Sequence, residues 1–315
     1  MNLKNKKIIV TGGAGFLGRH IIQQLIEKEK VLEENISVPR SKTYDLRKLK
    51  SVEKLFRDFN ADIVIHLATT AAGIGHNKEH PAELYLDTLL MGTYMMEQAR
   101  LNNVKKFVAV GSAIAYPASA PIPLEEKDFW DGLPEKTLAP FGLATRILAV
   151  QAQAYRQQYG FNAIYIIPAN IYGPGDSLDP EKSHVIPSAI MRIDTAIRNG
   201  MDRIEAWGSG NASREFLYIK DAARGIIAAL KTYNGSEPVN LSSGMEITMK
   251  DLYNKISRLM DYRGIIIWNV AKPEGQLRRC MNGSKAREEF DFQAKTGFDE
   301  GLKSTVEWYL RNIGK

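Results

Sequence analysis

The stretch "KIIVTGGAGFLGRH", residues 7–20, decides the fold. An apolar run leads directly into Gly12, Gly15 and Gly18, and a helix-like segment follows them. Glycines at this spacing permit a tight turn, a close approach of the backbone to a pyrophosphate, and close packing of a helix on a strand. The N-terminus of that helix would face the anion. The stretch therefore predicts a dinucleotide-binding turn at the start of an α/β domain.

Apolar runs recur along the first half of the chain, with helix-like spacers between them. Strands that are apolar throughout are buried on both faces of a sheet, and helical spacers supply the crossovers that parallel strands need. The predicted fold class is α/β, a doubly wound parallel sheet with a second, smaller domain. We expect the dinucleotide-binding domain to cover 1–172 and about 214–240, and the smaller domain to cover 173–213 and 241–315. The further runs are "ISVPR" (36–40), "DIVIHLA" (62–68), "KFVAVGS" (106–112) and "AIYIIPA" (163–169).

The composition is that of an ordinary globular protein. Of the 315 residues, 44% are hydrophobic and 25% are charged, which suits a substantial buried core. The net charge is +6, but lysine and arginine alternate with acids, so the pattern favours a solvated surface and small anionic ligands over nucleic acid. The single cysteine, Cys280, excludes an intrachain disulfide, and no apolar run approaches the length of a membrane span. We expect cytoplasmic residence, with no nucleic-acid or membrane partner.

The second predicted strand indicates which nicotinamide cofactor binds. Cofactors without a 2′-phosphate are usually held by an acidic residue at the end of this strand, and here the strand ends in "VPRSK". Arg40 could pair with a 2′-phosphate through charge-assisted hydrogen bonds, so NADP(H) is favoured, with NAD(H) as the alternative. Asp45 and Leu46 would border the adenine.

Seven motifs, in this order and at this spacing, give the chain a resemblance over essentially its whole length. It resembles the GDP-L-fucose synthase-like members of the extended short-chain dehydrogenase/reductase (NAD-dependent epimerase/dehydratase) family. The motifs "SHVIP" and "WGSG…REF" are specific to this branch, whereas the glycine motif is common to the superfamily. The seven are "TGGAGFLG", "HLAT", "GSAIAYP", "NIYGPGD", "SHVIPSAIMR", "WGSGNASREF" and "KPEGQLRR".

The resemblance implies a Rossmann domain, a small sugar-nucleotide domain, and NADPH-dependent epimerisation and 4-keto reduction of a GDP-linked 4-keto-6-deoxy sugar. It also implies a homodimer formed through helices at about 83–101 and 141–158, arranged as a four-helix bundle. The family's catalytic serine falls on Ser112 and its substrate-side histidine on His184. Expected cofactor contacts are Gly12, Gly15, Phe16, Leu17, Gly18, Arg40, Asp45, Leu46, Leu67, Ala68, Thr69, Pro168, Asn170 and Ile171. Expected substrate contacts are Asn170, His184, Val185, Arg192, Trp207, Arg214, Lys272 and Arg278.

Four positions depart from the family pattern. The family's catalytic tyrosine and lysine correspond to Phe141 and Thr145, and its epimerising cysteine corresponds to Ile114. An asparagine that braces the sheet corresponds to Thr88. Phe141 keeps the ring without the proton, and Thr145 keeps at most one hydrogen bond to the cofactor ribose without the charge. A positioned general acid typically contributes about 10²–10⁴ in rate, so we expect both reduction and epimerisation by the ordinary mechanism to be strongly impaired.

Three interpretations of these departures stay open at this point. The chain is an oxidoreductase whose proton transfer has been reassigned to Ser112, His184 or water, or it is a catalytically silent protein that binds cofactor and nucleotide sugar. In the third, Phe141 and Thr145 were introduced by substitution to trap a complex, although Ile114 and Thr88 favour natural drift. Arg146 lies about 100° around the helix from Thr145, so it is a poor substitute for the missing lysine.

Several other residues carry weaker signals. His76 and His80 have a metal-like spacing but lack an evident third ligand, so no metal site is predicted. Glu125 and Glu126 are candidates for unorthodox acid–base chemistry, although solvated loop acids are commoner. Tyr116 could donate a proton, but a structural role is the leading interpretation.

Overall fold

The first lobe is built on a six-stranded parallel sheet. The computed structural model describes residues 1–70, 74–179, 183–272 and 275–313. The strands there are β1 Ile8–Thr11, β2 Ile36–Ser37, β3 Ile63–His66, β4 Lys106–Val110, β5 Ala163–Pro168, β6 Asn170–Tyr172, β7 Arg203–Trp207, β8 Ser213–Tyr218, β9 Val239–Leu241, β10 Glu246–Thr248, β11 Ile265–Asn269 and β12 Arg278–Arg279. The helices there are α1 Phe16–Glu27, α2 Leu49–Asp58, α3 Ile74–Glu79, α4 Pro81–Leu101, α5 Ala139–Tyr159, α6 Val185–Arg198, α7 Ile219–Thr232, α8 Met249–Leu259, α9 Ser284–Phe290 and α10 Phe298–Asn312.

The order of strands in this sheet is β2-β1-β3-β4-β5-β9, and all pairs are parallel. Every residue of β1, β3 and β5 is buried, because helices cover both faces. The predicted doubly wound α/β fold is therefore confirmed. The strand order reverses between β1 and β3, and in open α/β sheets ligands bind at the carboxyl ends of the strands beside such a reversal.

The second lobe contains two small sheets. In one, β8 lies between β10 and β12 and also pairs with β6, and in the other β7 pairs with β11. A separate apolar core, which includes Ile190, Phe216, Leu252 and Leu302, holds these sheets against α6, α8 and α10. Strand β9 and helix α7 return to the first lobe, where α7 packs on α1. The assignment of one lobe to the cofactor and the other to the substrate stays a prediction.

Helix α5 begins and ends at residues that suit those positions. Glu135 accepts the backbone N–H groups of Thr137 and Leu138 at 3.0 and 3.2 Å, and Pro140 lies in the first turn, where its missing N–H costs nothing. The helix ends at Gly160, whose φ of 64° is left-handed. Of the described helices, none is long and apolar enough to cross a membrane.

Candidate functional site

The glycine-rich turn between β1 and α1 has the shape of a phosphate cradle. Gly12 has a φ of +66°, which glycine adopts without strain, and a Cβ there would press on the backbone of Leu67 and Ala68. A Cβ on Gly18 would overlap the Gly12 carbonyl oxygen and the Gly13 Cα atom. Gly15 precedes the first residue of α1, so the free N–H groups of the helix open toward this turn. The turn fits the pyrophosphate of a dinucleotide.

The neighbouring strand ends hold this turn in place. The Thr11 hydroxyl oxygen accepts the backbone N–H groups of Leu67 and Ala68 at 3.1 and 3.2 Å, and it lies 2.8 Å from Nδ1 of His66. His66 is fully buried, and burial lowers its pKa to about 4. The imidazole therefore stays neutral, which identifies it as part of the scaffold. Thr69 contacts Thr88 through their hydroxyls at 3.2 Å.

The chain after β2 passes beside the glycine-rich turn. A Cβ on Gly13 would touch the Val38 side chain, so Val38 lies beside the glycines. Arg40 is exposed. Asp45 accepts a hydrogen bond from Arg47 at 2.8 Å, and this contact holds the pKa of Asp45 at about 2. Leu46 is buried close by in the first-lobe core.

The other predicted cofactor residues line the junction of the lobes. Phe16, Leu17 and Ile171 pack against the apolar core of the second lobe. Pro168 ends β5, and the side-chain amide of Asn170 donates to the Glu215 carbonyl at 2.9 Å. Pro168 and Asn170 therefore lie at the carboxyl edge of the sheet, the same edge at which the glycine-rich turn follows β1.

The first two turns of α5 present no titratable group at this edge. Phe141 and Thr145 share one helix face and are 5% and 4% exposed. The Thr145 hydroxyl donates to the Gly142 carbonyl at 2.9 Å, so its proton stays within the helix. The next residue, Arg146, points to the turn after Ser112 and donates to the carbonyls of Ala115 and Gly132.

Ser112 begins a tight turn at the carboxyl end of β4. Its hydroxyl oxygen accepts the N–H of Ile114 at 3.3 Å, and a 3₁₀ turn covers Ala113–Ala115. Arg279, from β12 in the second lobe, donates to the Ala113 carbonyl. Arginines from α5 and from the second lobe therefore hold the two ends of this turn.

Arg278 and Arg279 are consecutive and point in opposite directions. Arg278 is paired with Glu246 at 3.0 Å and is largely exposed. Arg279 lies in register with Arg214 on β8, so both side chains share a face of the sheet. Burial, with the nearby Arg214 charge, lowers the pKa of Arg279 to about 10. Arg279, the last residue of the motif "KPEGQLRR", thus lies closer to the Ser112 turn than Arg278, the arginine singled out from the sequence as a substrate contact.

His184 and Asp176 form a pair on the other side of the junction. The carboxylate of Asp176 is buried and lies 3.0 Å from Nδ1 of His184, whose side chain is largely exposed. Arg19 and His20 of α1 donate to the carbonyls of Gly175 and Pro174 at 2.8 and 3.0 Å. The helix of the glycine-rich turn therefore anchors the segment that carries Asp176. Sequence reasoning missed Asp176, although it lies within the quoted motif "NIYGPGD".

The ion pair sets the titration of His184. The Asp176 carboxylate raises the pKa of His184 above its ordinary value of 6.5, against a smaller opposing effect of desolvation by the surrounding protein. The stabilisation from this pair is therefore complete below pH 6.5 and is lost as the pH rises through the raised pKa.

We expect Asp176→Asn to bring the titration midpoint of His184 back to pH 6.5 or below, measured from the histidine Cε1 resonances by NMR. Asp202→Asn, at an exposed carboxylate beside Arg203, is the control; an unchanged His184 midpoint in Asp176→Asn contradicts the pairing.

An exposed indole with two flanking cations lies farther out on the second lobe. Trp207 is 52% exposed, and the Arg192 guanidinium and the Lys272 ammonium lie 5.6 and 5.8 Å from its ring centre. Arg192 also donates to the Glu205 carbonyl at 3.0 Å. Val185, at the first turn of α6, is also exposed. The structure thus brings Arg192, Trp207 and Lys272 together, as a surface able to stack on a base and bind an anion.

The weaker candidates have structural partners. Tyr116 is buried and donates to Asn240 at 2.8 Å. Glu126 accepts the backbone N–H of Asn240 at 2.9 Å, and Glu125 pairs with Lys127 at 2.6 Å. Burial raises the pKa of the Cys280 thiol to about 11, so it stays protonated.

Only part of the histidine pair with metal-like spacing, His76 and His80, lies within the described residues. The side chain of His76 lies outside the described residues, as do Pro273 and Glu274 of the motif "KPEGQLRR". Within the described part of the chain, no three histidine, cysteine, aspartate or glutamate side chains could hold a metal ion together.

Comparison with known proteins gives the family. Residues 8–242 match the NAD dependent epimerase/dehydratase family model. GDP-L-fucose synthase 1 from Arabidopsis thaliana is 33% identical over 313 residues, covering 99% of this chain and 96% of that protein. GDP-L-fucose synthase from Sinorhizobium fredii is 32% identical over 311 residues, covering 99% and 98%. The crystal structure of a GDP-L-fucose synthetase from Naegleria fowleri bound to NADP is 26% identical with a TM-score of 0.87, covering 99% and 96%.

These matches extend over both lobes, and they agree with the glycine-rich turn and the strand order. The chain belongs to the NAD dependent epimerase/dehydratase family, with GDP-L-fucose synthases as full-length relatives.

Proposed function

We propose that the chain binds NADP(H) and a GDP-linked 4-keto-6-deoxy sugar, and that it reduces the 4-keto group slowly without epimerising its neighbours. The observation that carries the proposal is the convergence on one sheet edge of the glycine-rich turn, the Ser112 turn and Arg279. Ser112 and Gly12 each follow a parallel strand of the same sheet, so they open to the same side.

The cofactor is NADP(H) on this proposal. The glycine-rich turn would hold its pyrophosphate, and Arg40 would meet the 2′-phosphate. When bound, NADPH supplies the hydride. The NADP-bound relative from Naegleria fowleri supports this assignment, and so does the exposed Arg40, which stands where an acidic residue would select NAD(H) by binding its ribose.

The substrate would lie across the junction. Arg214 and Arg279 would bind the diphosphate, because paired guanidinium groups match its oxygens bidentately. Trp207, between Arg192 and Lys272, would stack on the base. His184, charged through Asp176 up to a higher pH than an isolated histidine, would donate to a sugar oxygen.

The chemistry would be slow because the expected acid is missing. Phe141 has no proton to give, and the Thr145 hydroxyl is buried against Gly142. Ile114 has no thiol with which to exchange a carbon-bound proton. The same two buried side chains favour a second candidate, a protein that binds both ligands and does not turn over.

The test uses purified full-length protein with GDP-4-keto-6-deoxymannose. We expect slow oxidation of NADPH, with little oxidation of NADH, and NMR of the product should show a single sugar with unchanged configuration at its other carbons. If calorimetry detects binding of NADPH and GDP while oxidation stays at the enzyme-free rate, the second candidate replaces the first. If neither ligand binds, both candidates are wrong.

The two consecutive arginines allow a matched comparison. Arg279→Gln should weaken GDP binding by roughly 10- to 150-fold, the equivalent of about 1.5–3 kcal/mol for charge-assisted hydrogen bonds. Arg278→Gln removes only an exposed pair with Glu246 and should change GDP affinity less than threefold. Calorimetric titration measures both, and melting curves confirm that each variant folds. A larger loss in Arg278→Gln would return the diphosphate site to that residue.

We also propose a homodimer formed through α4 and α5. These two helices pack side by side, with Gly92 against the Leu148 side chain, and they expose large apolar groups to solvent: Tyr85, Leu86, Ile147 and Val150. Light scattering should give a mass of twice 35.3 kDa. Val150→Glu should dissociate the dimer, whereas Val270→Glu, at an exposed apolar residue of the second lobe, should not. A monomeric wild-type protein contradicts this proposal.

A further inference from the structure

A groove in the second lobe lies between α8 and β11. Its volume is about 510 Å³, which is within the range of small-molecule sites. None of its lining residues belongs to the cofactor or substrate contacts predicted from the sequence. Three of the lining residues are cationic and none is acidic, so the groove favours an anionic ligand.

One wall of the groove is a polar stripe on α8. Lys250, Asn254 and Arg258 are exposed and spaced four residues apart, so they share one face of the helix. Because a helix rises about 1.5 Å per residue, the two cations stand roughly 12 Å apart along its axis. Neither forms an ion pair within the part of the chain that the structure describes. The third cation, Arg263, has an exposed partner, Asp261, at 3.6 Å, so all three charges are available to a ligand.

The end of the groove at the C-terminus of α8 suits phosphate. The Tyr262 backbone N–H donates to the Ser257 carbonyl at 2.9 Å, and each of these residues is followed in the chain by an arginine, Arg258 or Arg263. The hydroxyls of Ser257 and Tyr262 are buried and have no hydrogen-bond partner among the described residues, which is costly. Guanidinium groups bind phosphate oxygens bidentately, and a phosphate oxygen also supplies the acceptor that these hydroxyls lack.

The end of the groove at the start of α8 suits an aromatic base. The Lys250 backbone N–H donates to the Gly210 carbonyl at 2.9 Å, and a Cβ on Gly210 would press on the Trp268 ring, so Lys250 and Trp268 lie together. Trp268 and Ile266 line the groove from β11, and Asn254 lines it from α8. An apolar surface beside one side-chain amide can hold a base and bond its polar edge.

We propose that this groove binds a nucleoside polyphosphate, at a site separate from the proposed sugar-nucleotide site. The phosphates would lie between Arg258 and Arg263, and the base would lie against Trp268. A single phosphate ion is too small to reach both ends of the groove, whereas a nucleotide extends from one end to the other.

The surroundings of the groove favour a small ligand over a long polyanion. Asp251 follows Lys250 in the chain, and Asp261 precedes Tyr262. These carboxylates would repel a nucleic acid that ran past the ends of the groove. A ligand whose charge is confined to two or three phosphates avoids them.

Calorimetric titration of the full-length protein with ATP tests the site. The double variant Lys250→Gln, Arg258→Gln should weaken ATP binding by at least about tenfold, because it removes two charged partners. The matched control is Lys303→Gln, Arg311→Gln, which removes a lysine and an arginine with the same spacing from exposed positions on α10 and should change ATP affinity less than threefold. Melting curves confirm that both variants fold. No ATP binding by the wild type, or equal losses in the two double variants, overturns the proposal.

NMR of protein with ¹⁵N-labelled tryptophan locates the ligand. ATP should shift the indole resonance of Trp268, assigned with Trp268→Phe, more than that of Trp207. A larger shift at Trp207 would place ATP on the proposed substrate surface and overturn the separate site. Inorganic tripolyphosphate should bind more weakly than ATP and leave Trp268 unmoved; if it binds as tightly as ATP, the assignment to a nucleotide is wrong.

Discussion

The double variant Phe141→Tyr, Thr145→Lys should oxidise NADPH about 10²–10⁴ times faster than the wild-type chain, because a positioned general acid contributes that much. The two residues lie on one face of α5, four residues apart, so a new phenol and a new ammonium would be neighbours. The ammonium would lower the pKa of the phenol and prepare it to give its proton directly to the substrate. Steady-state rates with GDP-4-keto-6-deoxymannose measure the gain.

The single variants are its controls. Thr145→Lys alone adds no group that can replace the missing phenol, so its turnover should not exceed that of the wild type. Thr145 is 4% exposed, so a lysine there must extend its side chain to keep its ammonium group in contact with water. A double variant that folds and binds NADPH but gains no turnover would show that the loss of function extends beyond α5.

Gly18→Ala should abolish measurable NADPH binding. The new methyl group would overlap the Gly12 carbonyl and Gly13, so α1 must move away from the turn whose shape the pyrophosphate needs. Overpacking of this kind typically costs about 1–3 kcal/mol in the free energy of unfolding, which chemical denaturation measures. Gly297→Ala is the control, because nothing lies within 4 Å of a Cβ there and its φ is −62°. NADPH affinity within a factor of three of the wild type would exclude this turn as the cofactor site.

The sequence predicts the scaffold well where the signal is local. Apolar runs such as residues 62–68 and 163–169 contain the observed strands β3 and β5, because strands buried on both faces need apolar residues at every position. The glycine-rich turn is predictable for the same reason, since backbone shape alone requires those glycines.

The parts of the site that depend on distant contacts could not be predicted. Which of Arg278 and Arg279 faces the Ser112 turn depends on the register of a two-residue strand with β8. Tyr165 lies in an apolar run that indicates only a core strand, and the close approach of its hydroxyl to Gly111 arises from the tertiary fold. Asp176 is visible only as a loop acid until α1 anchors its segment to the junction.

The arginine pair on β8 and β12 has a consequence for selection. Like charges in register on adjacent strands oppose each other, and burial together with the Arg214 charge lowers the pKa of Arg279. Glu135 offsets only part of this repulsion. Replacing one of the two arginines with a neutral residue should therefore increase the stability of the unliganded protein. On the proposed function, an anionic ligand bound by both arginines would reverse that balance and stabilise the folded protein by mass action, so the persistence of the fold would depend on the supply of that ligand.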